Sequence, residues 1–355
     1  MNALPLPMNV ASLQPYASAR SIRKGDGWIF MDANESPFAN DVAIDAWPLV
    51  NRYPDPTADV LRDSIAPYYG VKRDNLLMTN GSDELIDLLV RSFVRPGRTV
   101  AGLVPSYGMY RVSAESNGRI FSSVQLKSDF SVDEERLFIA LEGADLLFLC
   151  SPNNPTASTL DASLLARILG GFAGLVVVDE AYGEFADAAG IPSAIGYVKR
   201  GAENLLVMRT FSKAFAGAGI RLGYGVADAA VIEVLLQMKA PYNVNILTQA
   251  AGLALWRKRD VMEENVRLLI AERERIAGEC RKLGCAVFPS VTNFLLLRLP
   301  AVLSAQKMYD DLIEQNRLVV RRFDSIPAWN DMLRISVGSP EQNDLFLTSL
   351  SRLLP

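Results

Sequence analysis

Five short β-rich runs constrain this chain most: Thr99–Val104, Asp145–Cys150, Gly174–Asp179, Asn204–Thr210 and Arg221–Ala227. Amphipathic helical patterns lie among them, around Asp83–Val94, Ser163–Gly170 and Ala229–Met238. Strands that alternate with helices predict an α/β domain on a mostly parallel sheet, because each crossover helix must cover a sheet face. A long helical stretch follows from about Ile246 to Leu283, with a bend expected between Arg257 and Asp260. A strand at Phe294–Leu299, a helix at Ser304–Asn316 and strands near Leu318–Arg321 and Met332–Val337 then fit a smaller α/β domain. Residues 11–56 are rich in Pro, Asn, Asp and aromatics and read as an extended arm with turns. A chain of 355 residues suits one large domain and a smaller one. The division expected is 1–44 as an N-terminal arm and part of the small domain, 45–265 as the large domain, and 266–355 as the small C-terminal domain.

The chain has no histidine. That removes Ser-His-Asp and Cys-His catalysis and His-ligated metals, and no metal site is expected. Proton transfer near neutral pH then falls to a tuned lysine, a carboxylate, a tyrosine or a cofactor. The net charge is −4 with both signs interspersed, which argues against a general nucleic-acid surface. An anionic substrate would have to be met by local arginines. Cys150, Cys280 and Cys285 are too few for a disulfide framework and match no zinc spacing, so they read as buried free thiols in a reducing cytosol. No apolar run reaches transmembrane length, and Met1–Val10 lacks the charged and apolar regions of a signal peptide. The expected location is the cytoplasm.

Two strand ends carry the chemistry. Leu175–Val178 is an apolar run that ends in Asp179-Glu180-Ala181-Tyr182, and Thr210-Phe211-Ser212-Lys213-Ala214-Phe215 follows another. Ligands of open α/β sheets bind at the carboxyl ends of strands, so Asp179 and Lys213 are expected at one edge. Such a pair suits pyridoxal 5'-phosphate, which needs a lysine for its aldehyde and a carboxylate to keep its ring nitrogen protonated. Tyr182 and Asn154, in Ser151-Pro152-Asn153-Asn154-Pro155, suit the ring oxygen. Ser212 and Arg221 suit the phosphate. Gly81-Ser82-Asp83 precedes an apolar helix, with Ser82 as its N-cap, and its backbone N–H groups would add a phosphate cradle. Tyr107 could stack on the ring. Each has a plainer reading: Ser151–Pro155 as a turn, Gly81–Asp83 as an ordinary helix start, Tyr107 as packing. Val178-Asp179-Glu180 also looks like an ATPase strand end, but the G-x-x-x-x-G-K-[ST] loop it requires is absent. Gly217, Gly219 and Gly223 lack dinucleotide-fold spacing.

In this order and at these strand ends the residues are recognisable. The chain resembles the fold-type-I aminotransferases and, within them, the histidinol-phosphate aminotransferases. The resemblance is carried by Leu13-Gln14-Pro15-Tyr16, Asp32-Ala33-Asn34-Glu35-Ser36-Pro37, Arg52-Tyr53-Pro54-Asp55-Pro56, Gly81-Ser82-Asp83-Glu84, Ser151–Pro155 and Asp179–Tyr182. It continues through Thr210–Phe215, Tyr242-Asn243-Val244-Asn245, Thr292-Asn293-Phe294 and Arg334-Ile335-Ser336-Val337-Gly338. It implies a large cofactor-binding domain with a mostly parallel sheet plus a smaller α/β domain, and transamination of L-histidinol phosphate with 2-oxoglutarate. It also implies that Arg334 binds the substrate's carboxylate or, with Arg321, its phosphate. Arg334 lies within an alternating strand, where an unpaired charge would be costly, so a bound anion is the better reading. By the same resemblance Tyr16 closes over the substrate, and Tyr53 reaches the cofactor phosphate of the neighbouring subunit in a homodimer. Three stretches depart from the pattern: Ala157 stands where the family usually has glycine, Ser36 where it has asparagine, and Ala216-Gly217-Ala218-Gly219 is rich in small residues. The competing readings are an aromatic amino-acid aminotransferase, a threonine-phosphate decarboxylase-like enzyme and, in another class, a ligand-sensing domain.

Overall fold

The computed structural model describes residues 26–44, 49–324 and 326–354. Tyr16 lies outside these residues, as do Leu13–Pro15. The main sheet has seven strands, β2 (Leu76–Thr79), β3 (Thr99–Val104), β4 (Ile120–Gln125), β5 (Ala144–Cys150), β6 (Leu175–Asp179), β7 (Leu205–Thr210) and β8 (Gly223–Ala227), in the spatial order β2-β8-β7-β6-β5-β3-β4. From β4 to β7 every pairing is parallel; β8 runs antiparallel to both β7 and β2. The expected α/β class with a mostly parallel sheet is what forms.

The inner strands are apolar because helices cover both faces. Every residue of β5 and β6 is buried, so they read as continuous Leu and Val runs instead of alternating ones. Each such side chain contributes about 1.5–3 kcal/mol on burial. Two strands of this sheet escaped the sequence reading for opposite reasons. β2 has only four residues, all buried. β4 is an edge strand whose first residue, Ile120, is 70% exposed.

The helical stretch after β8 breaks at Lys258, between helices Ile246–Arg257 and Arg259–Lys282, as the sequence indicates. The second of these runs unbroken through residue 265 toward a smaller antiparallel sheet. In it β9 (Ala286–Val287) and β10 (Phe294–Arg298) precede β12 (Arg321–Arg322) and β13 (Met332–Ser336), in the order β12-β13-β10-β9. The stretch Leu318–Arg321, expected as one strand, is split at Val320. Its first part, β11 (Leu318–Val319), instead pairs in parallel with β1 (Ile29–Phe30), which ties the N-terminal segment to the smaller sheet. Among the described residues no helix is long and apolar enough to cross a membrane.

Ala157 has φ +59°, in the left-handed region. Its N–H donates to the Asn153 carbonyl at 2.7 Å, and Asn153 N–H donates to Ser158 at 2.7 Å, so the turn holds this shape despite the side chain. A left-handed L-residue costs about 1–2 kcal/mol, partly offset by the roughly 0.5–1 kcal/mol of chain entropy that glycine loses on folding. Ala157→Gly should therefore raise stability by about 0.5–1 kcal/mol. Urea unfolding of both proteins checks this; an unchanged or lowered midpoint would contradict it.

Candidate active site

Parallel register brings the chemistry to one edge. Cys150 pairs with Asp179, and Asp179 with Met208. The segments that follow β3, β5, β6 and β7 therefore leave the sheet side by side, carrying Tyr107, Asn154, Tyr182 and Lys213. β8 enters at the same edge, with Arg221 just before it, and Thr79 opposite Gly223 puts the helix Gly81–Phe93 there too. A cavity of about 460 Å³ opens at this edge. Of the residues named from sequence it is lined by Lys213, Asp179, Tyr182, Asn154, Tyr107, Ser212, Arg221, Ser82, Asp83, Arg334 and Arg321. Tyr53 is not among them: it is 80% exposed and stacks on Tyr242, ring centroids 4.5 Å apart.

Asp179 is 3% exposed. Its Oδ2 accepts from the Tyr110 hydroxyl at 2.6 Å and its Oδ1 from the Ala181 N–H at 3.0 Å. Among the described residues it forms no ion pair, and burial pushes its pKa up to about 6. Lys213 donates to the Ala33 carbonyl at 2.7 Å. Burial, reinforced by the charges of Arg334 and Arg221, brings its pKa down to about 8. Tyr182 accepts from Asn34 Nδ2 at 2.8 Å, which leaves its own hydroxyl proton to donate elsewhere.

Around the helix start, Arg221 Nη2 lies 3.3 Å from Asp83 Oδ2, and Tyr107 donates to Asp83 Oδ1 at 2.9 Å. The Asp83 carboxylate thus holds two cavity side chains, and its backbone N–H is what it can offer an anion. Gly81 has φ +77°, and a Cβ there would lie 2.7 Å from Arg221 Nη2. Only glycine leaves the backbone N–H groups of the first turn open beside that guanidinium. The N-cap is Asn80, two residues earlier than the expected Ser82, which sits inside the first turn and does not cap it. Ser212 Oγ accepts from Thr210 Oγ1 at 3.0 Å.

Arg334 and Arg321 are register partners on β13 and β12. Arg334 is 7% exposed and donates to Asn154 Oδ1 and to the Asp32 carbonyl. The small sheet thus reaches across the cavity to the loop that follows β5.

Three features went unread in the sequence. Tyr110, on the buried side of the helix Met109–Ser116, is aimed at Asp179 and stacks on Phe148 at 4.6 Å. Asn34, at φ +53°, takes a Ser336 hydroxyl on its N–H and an Asn293 amide on its carbonyl while reaching Tyr182. Arg209, 1% exposed, binds Glu180 at 2.7 Å, Asp187 at 3.1 Å and Glu184 at 3.3 Å, and so ties β7 to the chain just beyond Asp179. Only Asn34 carried a cue, as a residue type that tolerates positive φ.

Comparison with known proteins bears on what this edge does. Residues 31–350 match the family described as aminotransferase class I and II. The chain belongs to that family. This aminotransferase is 39% identical to the histidinol-phosphate aminotransferase of Parabacteroides distasonis, over 97% of this chain and 96% of that one. It is likewise 39% identical to that of Thermoanaerobacter pseudethanolicus, covering 91% and 92%. Its fold is shared with the crystal structure of the Sinorhizobium meliloti histidinol-phosphate aminotransferase in complex with pyridoxal-5'-phosphate. There the TM-score is 0.88 at 24% identity, covering 99% of this aminotransferase and 98% of that chain.

Asp179 allows a stability test. Its pKa rises from 3.8 to about 6 on folding, so the fold favours the neutral acid. That contribution is fully present below pH 3.8 and is lost as pH rises through about 6. At pH 8 the cofactor-free aminotransferase therefore holds a buried charge that has hydrogen bonds but no ion pair among the described residues. Asp179→Asn should be more stable there by up to about 3 kcal/mol, the gain fading below pH 4. Denaturant melts at both pH values check this, and a variant less stable at pH 8 would contradict it.

Proposed function

We propose that this aminotransferase moves the amino group of L-histidinol phosphate to 2-oxoglutarate, giving imidazole acetol phosphate and glutamate, with pyridoxal phosphate in the 460 Å³ cavity. The observation that carries the reading is a buried carboxylate with no ion pair among the described residues, facing the same cavity as a lysine of lowered pKa. The relatives, similar over nearly their whole length, favour this substrate.

The cavity fits the cofactor on two counts. Among the described residues Asp179 forms no ion pair, and a protonated ring nitrogen would supply one. The Gly81 turn and Arg221 leave room that a Cβ would fill, which suits a phosphate. When bound, pyridoxal phosphate supplies an aldehyde that condenses with amines and a ring that draws electrons from the substrate Cα.

The chain's residues then divide the work. Lys213 Nζ, partly neutral near pH 8, takes the proton from the substrate Cα and returns it on the cofactor side. Asp179 keeps the ring nitrogen charged. Tyr182, whose hydroxyl oxygen accepts from Asn34 Nδ2, turns its proton toward the ring oxygen, and Asn154 assists. Tyr107 covers the ring face. Ser212, Arg221, Ser82 and the Asp83 N–H hold the phosphate. Arg334 and Arg321 bind the substrate's anionic end, and Tyr16 closes over it. Exposed Tyr53 completes the phosphate site of a second subunit in a homodimer. We assign 45–265 to a large cofactor-binding unit and 266–355 to a small one, with 1–44 as an N-terminal arm and part of the small unit. We place the enzyme in the cytoplasm, which suits its buried free thiols Cys150, Cys280 and Cys285.

A substrate panel with 2-oxoglutarate as acceptor tests the reading. Histidinol phosphate should surpass phenylalanine in kcat/KM, and threonine phosphate should release no carbon dioxide. Arg321→Gln should lower kcat/KM for histidinol phosphate by about 10- to 100-fold, the loss of one charged hydrogen bond, while sparing phenylalanine. A preference for phenylalanine, or decarboxylation of threonine phosphate, would replace the proposal.

A further inference from the structure

Lys239 ends the helix Ala229–Met238 and is only 8% exposed, yet among the described residues it has no carboxylate partner. Its ammonium lies instead among four uncharged oxygens. The Pro56 carbonyl is 2.7 Å away, Ala240 3.0 Å, Pro241 3.1 Å and Asn243 Oδ1 3.0 Å. Three protons serve four acceptors, so the nitrogen acts as a compact positive charge in an oxygen shell more than as a directed donor. Burial lowers its pKa, with the more distant Glu84 and Asp55 opposing that shift.

The shell is built, not incidental. Asn243 Nδ2 donates to the Met78 carbonyl at 3.2 Å and to Glu84 Oε2 at 2.8 Å, which fixes Oδ1 toward the ammonium. Glu84 Oε2 in turn accepts the N–H of Asn80, the N-cap of the helix that opens the cavity's anion cradle. On the other side, Gln249 Nε2 holds the Asp55 carbonyl at 2.8 Å. The shell therefore joins the turn that follows Tyr53 to the helix start at Gly81. Neutral carbonyl and amide oxygens at these distances suit a large singly charged ion, whereas Ca²⁺ and Mg²⁺ favour carboxylates and shorter contacts.

We propose that this shell is a monovalent-cation site filled by the protein's own tethered ammonium, so that removing the Lys239 charge creates a site for K⁺ or NH₄⁺. The experiment uses the full chain as Lys239→Met and as the milder Lys239→Gln, with and without pyridoxal phosphate. Thermal midpoints are read in LiCl, KCl and NH₄Cl at matched ionic strength, and crystals of each variant are soaked in Rb⁺. Both variants should melt several degrees below wild type in LiCl, and KCl or NH₄Cl should restore most of that loss. Wild type should not distinguish the three salts. Rb⁺ should give an anomalous peak where Nζ stood. Equal midpoints in all salts, a Rb⁺-free shell, or failure of both variants to fold even in K⁺ and NH₄⁺ would overturn the proposal. These readouts need no turnover, so they stand apart from the proposed reaction.

Discussion

Parallel pairing of β5, β6 and β7 is the constraint from which the rest follows. Parallel strands must all finish at the same edge, whereas hairpins would scatter their ends. With Cys150 beside Asp179 and Asp179 beside Met208, the segments that leave these strands have nowhere to go but around one hollow. The reversed β8 adds Arg221 from the opposite chain direction. The small sheet closes the far side with Arg321 and Arg334, anchored through Asn154 and the Asp32–Asn34 segment.

Within that hollow, burial moves two titrating groups toward neutrality from opposite directions, Asp179 up to about 6 and Lys213 down to about 8. Such a pair is poised for proton transfer and for a cationic guest. The Arg209 cluster works behind it. Arg209 gathers Glu180, Glu184 and Asp187 around a single guanidinium, and Glu180 also accepts the Ala194 N–H at 2.6 Å. Gly183 is required there, since a Cβ would fall 2.2 Å from Arg209. The chain beyond Asp179 is therefore pinned by charge, and the carboxylate keeps its direction with no ion pair among the described residues.

Much of this was legible in the amino-acid order because strand ends are local events. An apolar run that stops at Asp179, and another that stops before Ser212-Lys213, mark the edge without any knowledge of the fold. What was hidden depended on partners far along the chain. Asn34 meets Tyr182 across 148 positions and Tyr110 meets Asp179 across 69, and no local pattern announces either meeting. β4 was missed because an exposed edge strand lacks the apolar run that marks its buried neighbours, and the split of the Leu318–Arg321 strand at Val320 because a change of sheet leaves no periodic trace. The cap was placed two residues too far inward: Ser82 is the better capping residue type, but the helix starts at Gly81 with Asn80 before it.

For the proposed transamination, the Lys213 amine and the Asp179 carboxylate must address one aldehyde-bearing ring. Borohydride reduction of the protein loaded with pyridoxal phosphate, followed by peptide mass mapping, shows which lysine does so. Every pyridoxyl adduct should fall on Lys213, and Asp179→Asn should leave that lysine labelled while shifting the visible absorption of the unreduced protein. Label on another lysine, or none on Lys213, would contradict the account.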